Sequence, residues 1–202
     1  MTMSRAYPVG SVMFVWGKDF VGEGIDWFES VTPDHPAQAS HALLVTKGGA
    51  YTEAEVTEAL ARVKCWAMQQ AYPTSDTQER LCCYAPIGLT PEAQQMGLDV
   101  VKTFVNDKYG WWKIGLCAID GLISKIAGRD VAWARNLGWN NKYPICSRLD
   151  GVYMAAIDRG RTINVQAAEP EEERLYCAAN PTEWQLVHEW LTPAEIAAQF
   201  NG

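Results

Sequence analysis

The order in which hydrophobic periodicities follow one another is the feature that most limits the fold of this chain. Up to Pro86, β-branched and aromatic residues form short runs separated by glycine and proline, a pattern typical of strands. After Thr90, apolar residues recur at helical spacing. Strands therefore come mostly first and helices later, without alternating β–α units, so we predict the α+β class.

The individual elements follow from the same patterns. Strands are predicted over residues 10–16, 41–46, 51–63, 80–86 and 183–189. Helices are predicted over residues 90–108, 111–127 and 146–159 and from residue 193 onwards, the first with the capping sequence Thr90-Pro91-Glu92. The acidic run from Glu169 to Glu173 contains Pro170, and we interpret it as a solvated loop.

Length and charge exclude several classes of protein. The chain has 202 residues, of which 48% are hydrophobic and 20% charged, so residues 1–202 are expected to form one globular domain. The net charge is -7 and Lys and Arg are scattered, so no nucleic-acid partner is expected. We expect no transmembrane segment and no secretory signal peptide, and therefore synthesis in a cytoplasm. A virion-associated or machine-delivered location stays open, and the sequence does not predict the oligomeric state.

The cysteines are interpreted as reduced thiols. Six are present, but no signal peptide accompanies them and the chain is too long to need disulfides for its core. With only three histidines and no Cys-x-x-Cys pair, we expect no metal site and no cofactor. Each cysteine therefore needs a separate argument before it is assigned a chemical role.

Cys146 is the best candidate for a nucleophile. It follows Tyr143-Pro144-Ile145 and precedes an apolar-periodic run, which predicts a position at or near the N-terminus of a helix. Free backbone N–H groups and the helix dipole lower the pKa of a thiol there and supply donors for an oxyanion. The alternative is that Cys146 is a small core residue.

His41 is the best candidate for the base. It begins a predicted strand, whereas His188 lies in a late strand and is the second choice. Glu58 lies on the next predicted strand and can approach His41 if the two strands are antiparallel neighbours across the turn at Gly48 and Gly49. Glu53 and Glu55 compete with Glu58 for the role of orienting the imidazole.

Several short motifs together resemble one family of enzymes. A strand opens with glycine, a Ser-His pair opens the next strand, a Glu-Ala segment lies on the third, a helix leads into a Tyr-Gly turn, and a Tyr-x-x-Cys-Ser motif opens a later helix. These motifs are Gly10-Ser-Val-Met-Phe14, Ser40-His41, Glu58-Ala59, Tyr109-Gly110 and Tyr143-Pro-Ile-Cys146-Ser147. Over roughly residues 9–190, the chain resembles the YiiX-like, permuted papain-like cysteine hydrolases of the NlpC superfamily.

This resemblance implies a fold and a set of roles. The fold would be a circularly permuted papain-like one, with a small antiparallel sheet or barrel packed against helices. Cys146 would attack a carbonyl carbon, His41 would take and return the proton, and Glu58 would orient His41. Tyr143, Ser147 and Arg148 would lie at the oxyanion or substrate site. Relatives usually carry Glu or Gln where this chain has Arg148, which leaves the substrate undetermined.

The expected activity is that of a cysteine amidase or peptidase that forms a thioester intermediate. The resemblance points to the peptide stem of peptidoglycan, or another amide, as the substrate. One alternative is a lipid or thioester acyl hydrolase or acyltransferase, which the tryptophan-rich stretch before Cys146 permits. Another is a catalytically silent binding or structural protein, such as a virion component. An unusually reactive Cys146 would argue against this last alternative.

Overall fold

The residues that the structure describes form two antiparallel sheets and five helices. The computed structural model describes residues 6–16, 39–59, 62–71, 80–127, 133, 144–165 and 169–190. The strands are β1 (Ala6–Tyr7), β2 (Val12–Trp16), β3 (His41–Lys47), β4 (Gly49–Ala50), β5 (Glu55–Ala59), β6 (Val63–Ala67), β7 (Arg80–Pro86) and β8 (Trp184–Trp190). The helices are α1 (Met68–Ala71), α2 (Pro91–Lys102), α3 (Trp111–Ala127), α4 (Cys146–Ala156) and α5 (Pro170–Ala179).

The larger sheet has six strands in the order β6-β5-β3-β2-β7-β8, and each strand is antiparallel to its neighbours. β1 and β4 form a separate pair. The α+β class with an antiparallel sheet and helices is therefore confirmed. The sheet is open, with β6 and β8 at its edges, so the alternative of a closed barrel is wrong for the strands that the structure describes.

Helix α4 packs on the sheet, and its apolar residues lie in the larger apolar core. Leu149 and Tyr153 of α4 are fully buried among residues of β2, β3 and α2. α2 approaches closely because Gly97 faces Tyr153, where an added Cβ atom would lie 2.7 Å from the ring. The N-terminus of α4 is thereby fixed next to the first residues of β3, which α4 contacts directly.

Two of the predicted elements need correction. Residues 51–63 are not one strand, because β5 ends at Ala59 and Val63 starts β6, which pairs back on β5. Residues 169–173 are not a solvated loop, because Pro170 is the first residue of α5 and three acidic residues occupy its first turn. Proline fits the first turn of a helix, and acidic side chains there interact favourably with the helix dipole. The helix predicted from residue 193 lies outside the described residues.

A membrane-spanning helix is not found in the described part of the chain, where each helix is too short or too polar to cross a bilayer.

Candidate active site

Cys146 is the first residue of α4, and its side chain is buried. The residue before it, Ile145, has extended backbone angles and offers no side-chain cap to the helix. The first N–H groups of α4 are therefore not occupied by a capping side chain. The backbone N–H groups of Ser147 and Ala42 donate hydrogen bonds to the sulfur of Cys146. This end of α4 is consequently suited to hold a negative charge.

The strand register brings His41 and Glu58 together. Glu58 of β5 lies opposite Leu43 of β3, and His41 is two residues before Leu43 on the same strand face. Nε2 of His41 is 2.8 Å from Oε2 of Glu58, and the Glu58 side chain is only 2% exposed. Cys146 also lies beside the ring of His41, where its charge and its hydrogen-bonding sulfur raise the pKa of the imidazole.

The competing glutamates lie elsewhere. Glu55 pairs with Lys47, at 3.1 Å between the carboxylate and the ammonium group. Glu53 is exposed and lies against Gly49 in the turn that follows β4. Of the three glutamates considered for orienting the imidazole, Glu58 is therefore the one in contact with His41.

The electrostatics of the pair favour a thiolate and an imidazolium. Burial by itself would lower the pKa of His41, but the charge and hydrogen bond of Cys146, and then Glu58, raise this pKa to about 10. Burial would raise the pKa of Cys146, but the charge of His41 and hydrogen bonds from His41, Ala42 and Ser147 lower it below the ordinary value. The interaction therefore favours the thiolate beside the imidazolium, and it is lost when His41 gives up its proton near pH 10.

Tyr109 is a neighbour of the sulfur to which the sequence assigned no role. Its hydroxyl group lies 4.0 Å from the sulfur of Cys146. The next residue, Gly110, donates its backbone N–H to the carbonyl oxygen of Pro144 at 3.0 Å, which ties this turn to the start of α4. The Tyr109-Gly110 motif was visible in the sequence, but its contact with Cys146 depends on the packing of two distant segments.

The remaining predicted site residues differ in their positions. Tyr143 lies outside the described residues. Ser147 is buried and contributes its backbone N–H to the sulfur. Arg148 lies about 200° further around α4 than Cys146, and its guanidinium group packs over the ring of Phe104 at 6.0 Å. Arg148 therefore lies on the other side of the helix from the nucleophile.

The other thiols and His188 have different surroundings. Burial raises the pKa of Cys83 and of Cys177, whereas Cys65 is exposed. His188 donates to the carbonyl oxygen of Ala6 at 3.0 Å and packs against the ring of Tyr7. It lies on β8, three strands from β3 and therefore roughly 14 Å away across the sheet. His41 is thus the histidine in contact with Cys146 among the described residues.

Replacing Cys146 by alanine is expected to lower the pKa of His41 from about 10 towards the ordinary value of 6.5. The reason is that the thiolate is the largest influence raising this pKa, and burial opposes it. The ring resonances of His41 can be followed by NMR as a function of pH in both proteins. His188 has separate partners and serves as the control that should not move. An unchanged titration of His41 would contradict the contact with Cys146.

Comparison with known proteins gives a structural relative. No family model matches the chain, and no curated protein sequence does. Among solved structures, the chain is similar to the metalloprotein yiiX from Escherichia coli O157:H7, DUF1105, with a TM-score of 0.51 and 13% sequence identity. The match covers 95% of this chain and 92% of the other. At this identity the likeness concerns the fold alone.

A metal site does not follow from that likeness. In the described parts of the chain, no three residues among His, Cys, Asp and Glu are grouped so that they could hold a metal ion.

Proposed function

We propose that this protein is a cysteine amidase or peptidase with a permuted papain-like fold, and that Cys146, His41 and Glu58 are its catalytic residues. The observation that carries the proposal is the three-residue contact, because a buried thiol at a helix N-terminus meets a histidine that is held 2.8 Å from a buried carboxylate. Nucleophile, base and orienting acid in this arrangement are the parts that covalent acyl transfer needs. The similarity to yiiX supports the YiiX-like part of the proposal, which concerns the fold alone.

The reaction follows from the charges of these groups. The thiolate of Cys146 attacks the carbonyl carbon of an amide, and the carbonyl oxygen becomes negatively charged. The imidazolium of His41 then gives its proton to the leaving amine, and the acyl group stays on Cys146 as a thioester. Water attacks the thioester with His41 as the base, which releases the acid and restores the thiolate. Glu58 holds the ring of His41 in place throughout.

The negative charge on the carbonyl oxygen needs donors close to the sulfur. The uncapped N-terminus of α4 supplies backbone N–H groups there, including that of Cys146 itself. The hydroxyl group of Tyr109, 4.0 Å from the sulfur, is a further donor at the same end of the helix. These groups would stabilise the tetrahedral intermediate without any rearrangement of the helix.

The proposal is tested with purified peptidoglycan and with soluble stem peptides. We expect the protein to release new amine and carboxyl ends that mass spectrometry assigns to one amide bond. Cys146→Ala should lower the rate by at least about 10³-fold, because the variant cannot form the thioester. Equal release by the wild type and Cys146→Ala would show that the activity does not belong to this site.

A specific surface favours a second candidate, an acyl hydrolase or acyltransferase. Four large apolar side chains of α3 are exposed along one face of the helix: Ile119, Leu122, Ile123 and Ile126. The polar residues Asp120 and Ser124 of the same helix are buried. α3 begins directly after the turn that contacts Cys146, so the exposed apolar face belongs to the segment that follows the candidate site in the chain.

The same screen separates the two candidates. Short acyl thioesters and phospholipid vesicles are added beside the peptide amides, with Cys146→Ala again as the control. Faster Cys146-dependent turnover of the acyl substrates than of any peptide amide would favour the second candidate.

A further inference from the structure

Helix α4 carries a buried acid for which the proposed reaction has no use. Asp150 lies four residues after Cys146, and therefore one turn away on the same side of the helix. It is completely buried, and neither carboxyl oxygen has a hydrogen-bond partner among the described residues. A carboxylate without a partner is costly to bury, whereas the neutral acid is far less so.

The elements that contact α4 most extensively are α2, β3, β5 and α5. The titratable groups that these elements and α4 bury around Asp150 are Cys146 and Tyr153 of α4, His41 of β3, Glu58 of β5, and Glu173 and Cys177 of α5. The charged residues of α2, which are Glu92, Asp99 and Lys102, are exposed. Two cations on these elements are partly buried, Arg148 of α4 and Arg174 of α5, and Arg174 pairs with Glu171.

Asp150 and Cys146 compete for one negative charge. Burial first, and then the charge of Cys146, raise the pKa of Asp150 well above its ordinary value, while the charge of His41 acts in the opposite direction. Two acids in one buried volume resist being ionised together. Cys146 has the hydrogen bonds of His41, Ala42 and Ser147 to stabilise its charge, and Asp150 has no comparable donor among the described residues.

We infer that Asp150 keeps its proton beside Cys146, so that the site holds its negative charge on the sulfur. The inference rests on the proposed function, because it treats Cys146 as the nucleophile. An ionised Asp150 would oppose formation of the thiolate, whereas the neutral acid leaves the thiolate and the imidazolium of His41 undisturbed. Removing the ability of Asp150 to ionise should therefore spare the reactivity of Cys146.

The sign of the stability effect is opposite to that of a normal salt-bridged acid. Folding raises the pKa of Asp150, so the unfolded chain releases this proton at a lower pH than the folded chain does. The free energy of unfolding therefore falls as the pH rises from the ordinary aspartate value of 3.8 towards the raised value. Asparagine has nearly the same shape as aspartic acid and does not ionise, so the variant Asp150→Asn should not show this fall in the free energy of unfolding.

The test is Asp150→Asn, compared with the wild type by urea unfolding near pH 4 and near pH 8. We expect equal stability at the acidic pH and a more stable variant at the alkaline one. Labelling of Cys146 by iodoacetamide at neutral pH should stay within about three-fold of the wild-type rate. The control is Asp99→Asn, an exposed acid whose pKa is lowered by hydrogen bonds from Lys102 and Gln95, which should show no gain at the alkaline pH.

Two results would overturn the inference. The first is that the stability of Asp150→Asn relative to the wild type is lower near pH 8 than near pH 4. The second is that the variant folds but its Cys146 is labelled as slowly as Cys65. Failure of the proposed function is a different result, since wild-type Cys146 itself would then label no faster than Cys65.

If Asp150→Asn does not fold, the wild type is labelled with carbon-13 in its aspartate carboxyl groups. An aspartate that stays protonated at neutral pH, and that loses its proton at lower pH once Cys146 is alkylated, supports the inference. The absence of any protonated aspartate at neutral pH overturns it.

Discussion

Replacing His41 by alanine is expected to slow iodoacetamide labelling of Cys146 at neutral pH by about 100-fold. The charge and hydrogen bond of His41 are the largest influences that lower the pKa of Cys146. Without them, burial dominates and raises this pKa, so that only a small fraction of the thiol is ionised at neutral pH. The rate at each cysteine is measured by mass spectrometry over a range of pH.

Cys65 supplies the internal control for this experiment. It is exposed on β6 and lies outside the site, so its labelling should be the same in the wild type and in His41→Ala. Cys146 labelling that is fast in both proteins would show that His41 does not generate the thiolate. Cys146 labelling that is slow in both would remove the enzymatic interpretation and favour a binding or structural protein of the same fold.

Replacing Gly10 by alanine is expected to lower the free energy of unfolding by about 3–5 kcal/mol. Gly10 has a φ of 76°, a conformation that costs an L-residue energy. Its added Cβ atom would also lie 2.0 Å from the hydroxyl oxygen of Tyr153, at the centre of the main core. Backbone strain and displacement of a buried ring therefore act together, and urea unfolding measures their sum.

Gly88→Ala separates these two contributions. Gly88 has a similar φ of 68°, but an added Cβ atom would meet nothing within 4 Å. This variant should lose only the backbone contribution of about 1–2 kcal/mol. Equal losses for Gly10→Ala and Gly88→Ala would show that Tyr153 moves aside without penalty and that the packing around α4 is looser than the structure indicates.

Capping residues and other local signals predict elements whose ends are decided by residues next to them in the sequence. Thr90-Pro91-Glu92 begins α2 as expected, since its hydroxyl group accepts from the N–H of Ala93. The same kind of signal at Pro170, followed by Glu171 and Glu172, marks the start of α5 and not the predicted loop. Acidic residues fit a first helical turn as well as a solvated loop, so these residues by themselves are compatible with both structures.

The pairing of strands is harder to predict from the sequence than single elements are, because contacts between strands decide the register. The choice of Glu58 over Glu55 depends on the irregularity between Val45 and Lys47, where the pairing of β3 with β5 shifts. This shift pairs Glu55 with Lys47 and leaves Glu58 opposite Leu43, within reach of His41. A one-residue difference in register would turn these side chains to the other face of the sheet.

By itself, the sequence determined the α+β class and the candidate residues Cys146 and His41, because periodicity, capping and the scarcity of histidines are local properties. Only the tertiary structure decided that residues 105 positions apart meet, that Tyr109 joins them and that Asp150 lies buried without a hydrogen-bond partner among the described residues. These facts depend on how α4 packs against β3 and β5. Long-range packing of this kind sets burial and charge at the site, and no local pattern encodes it.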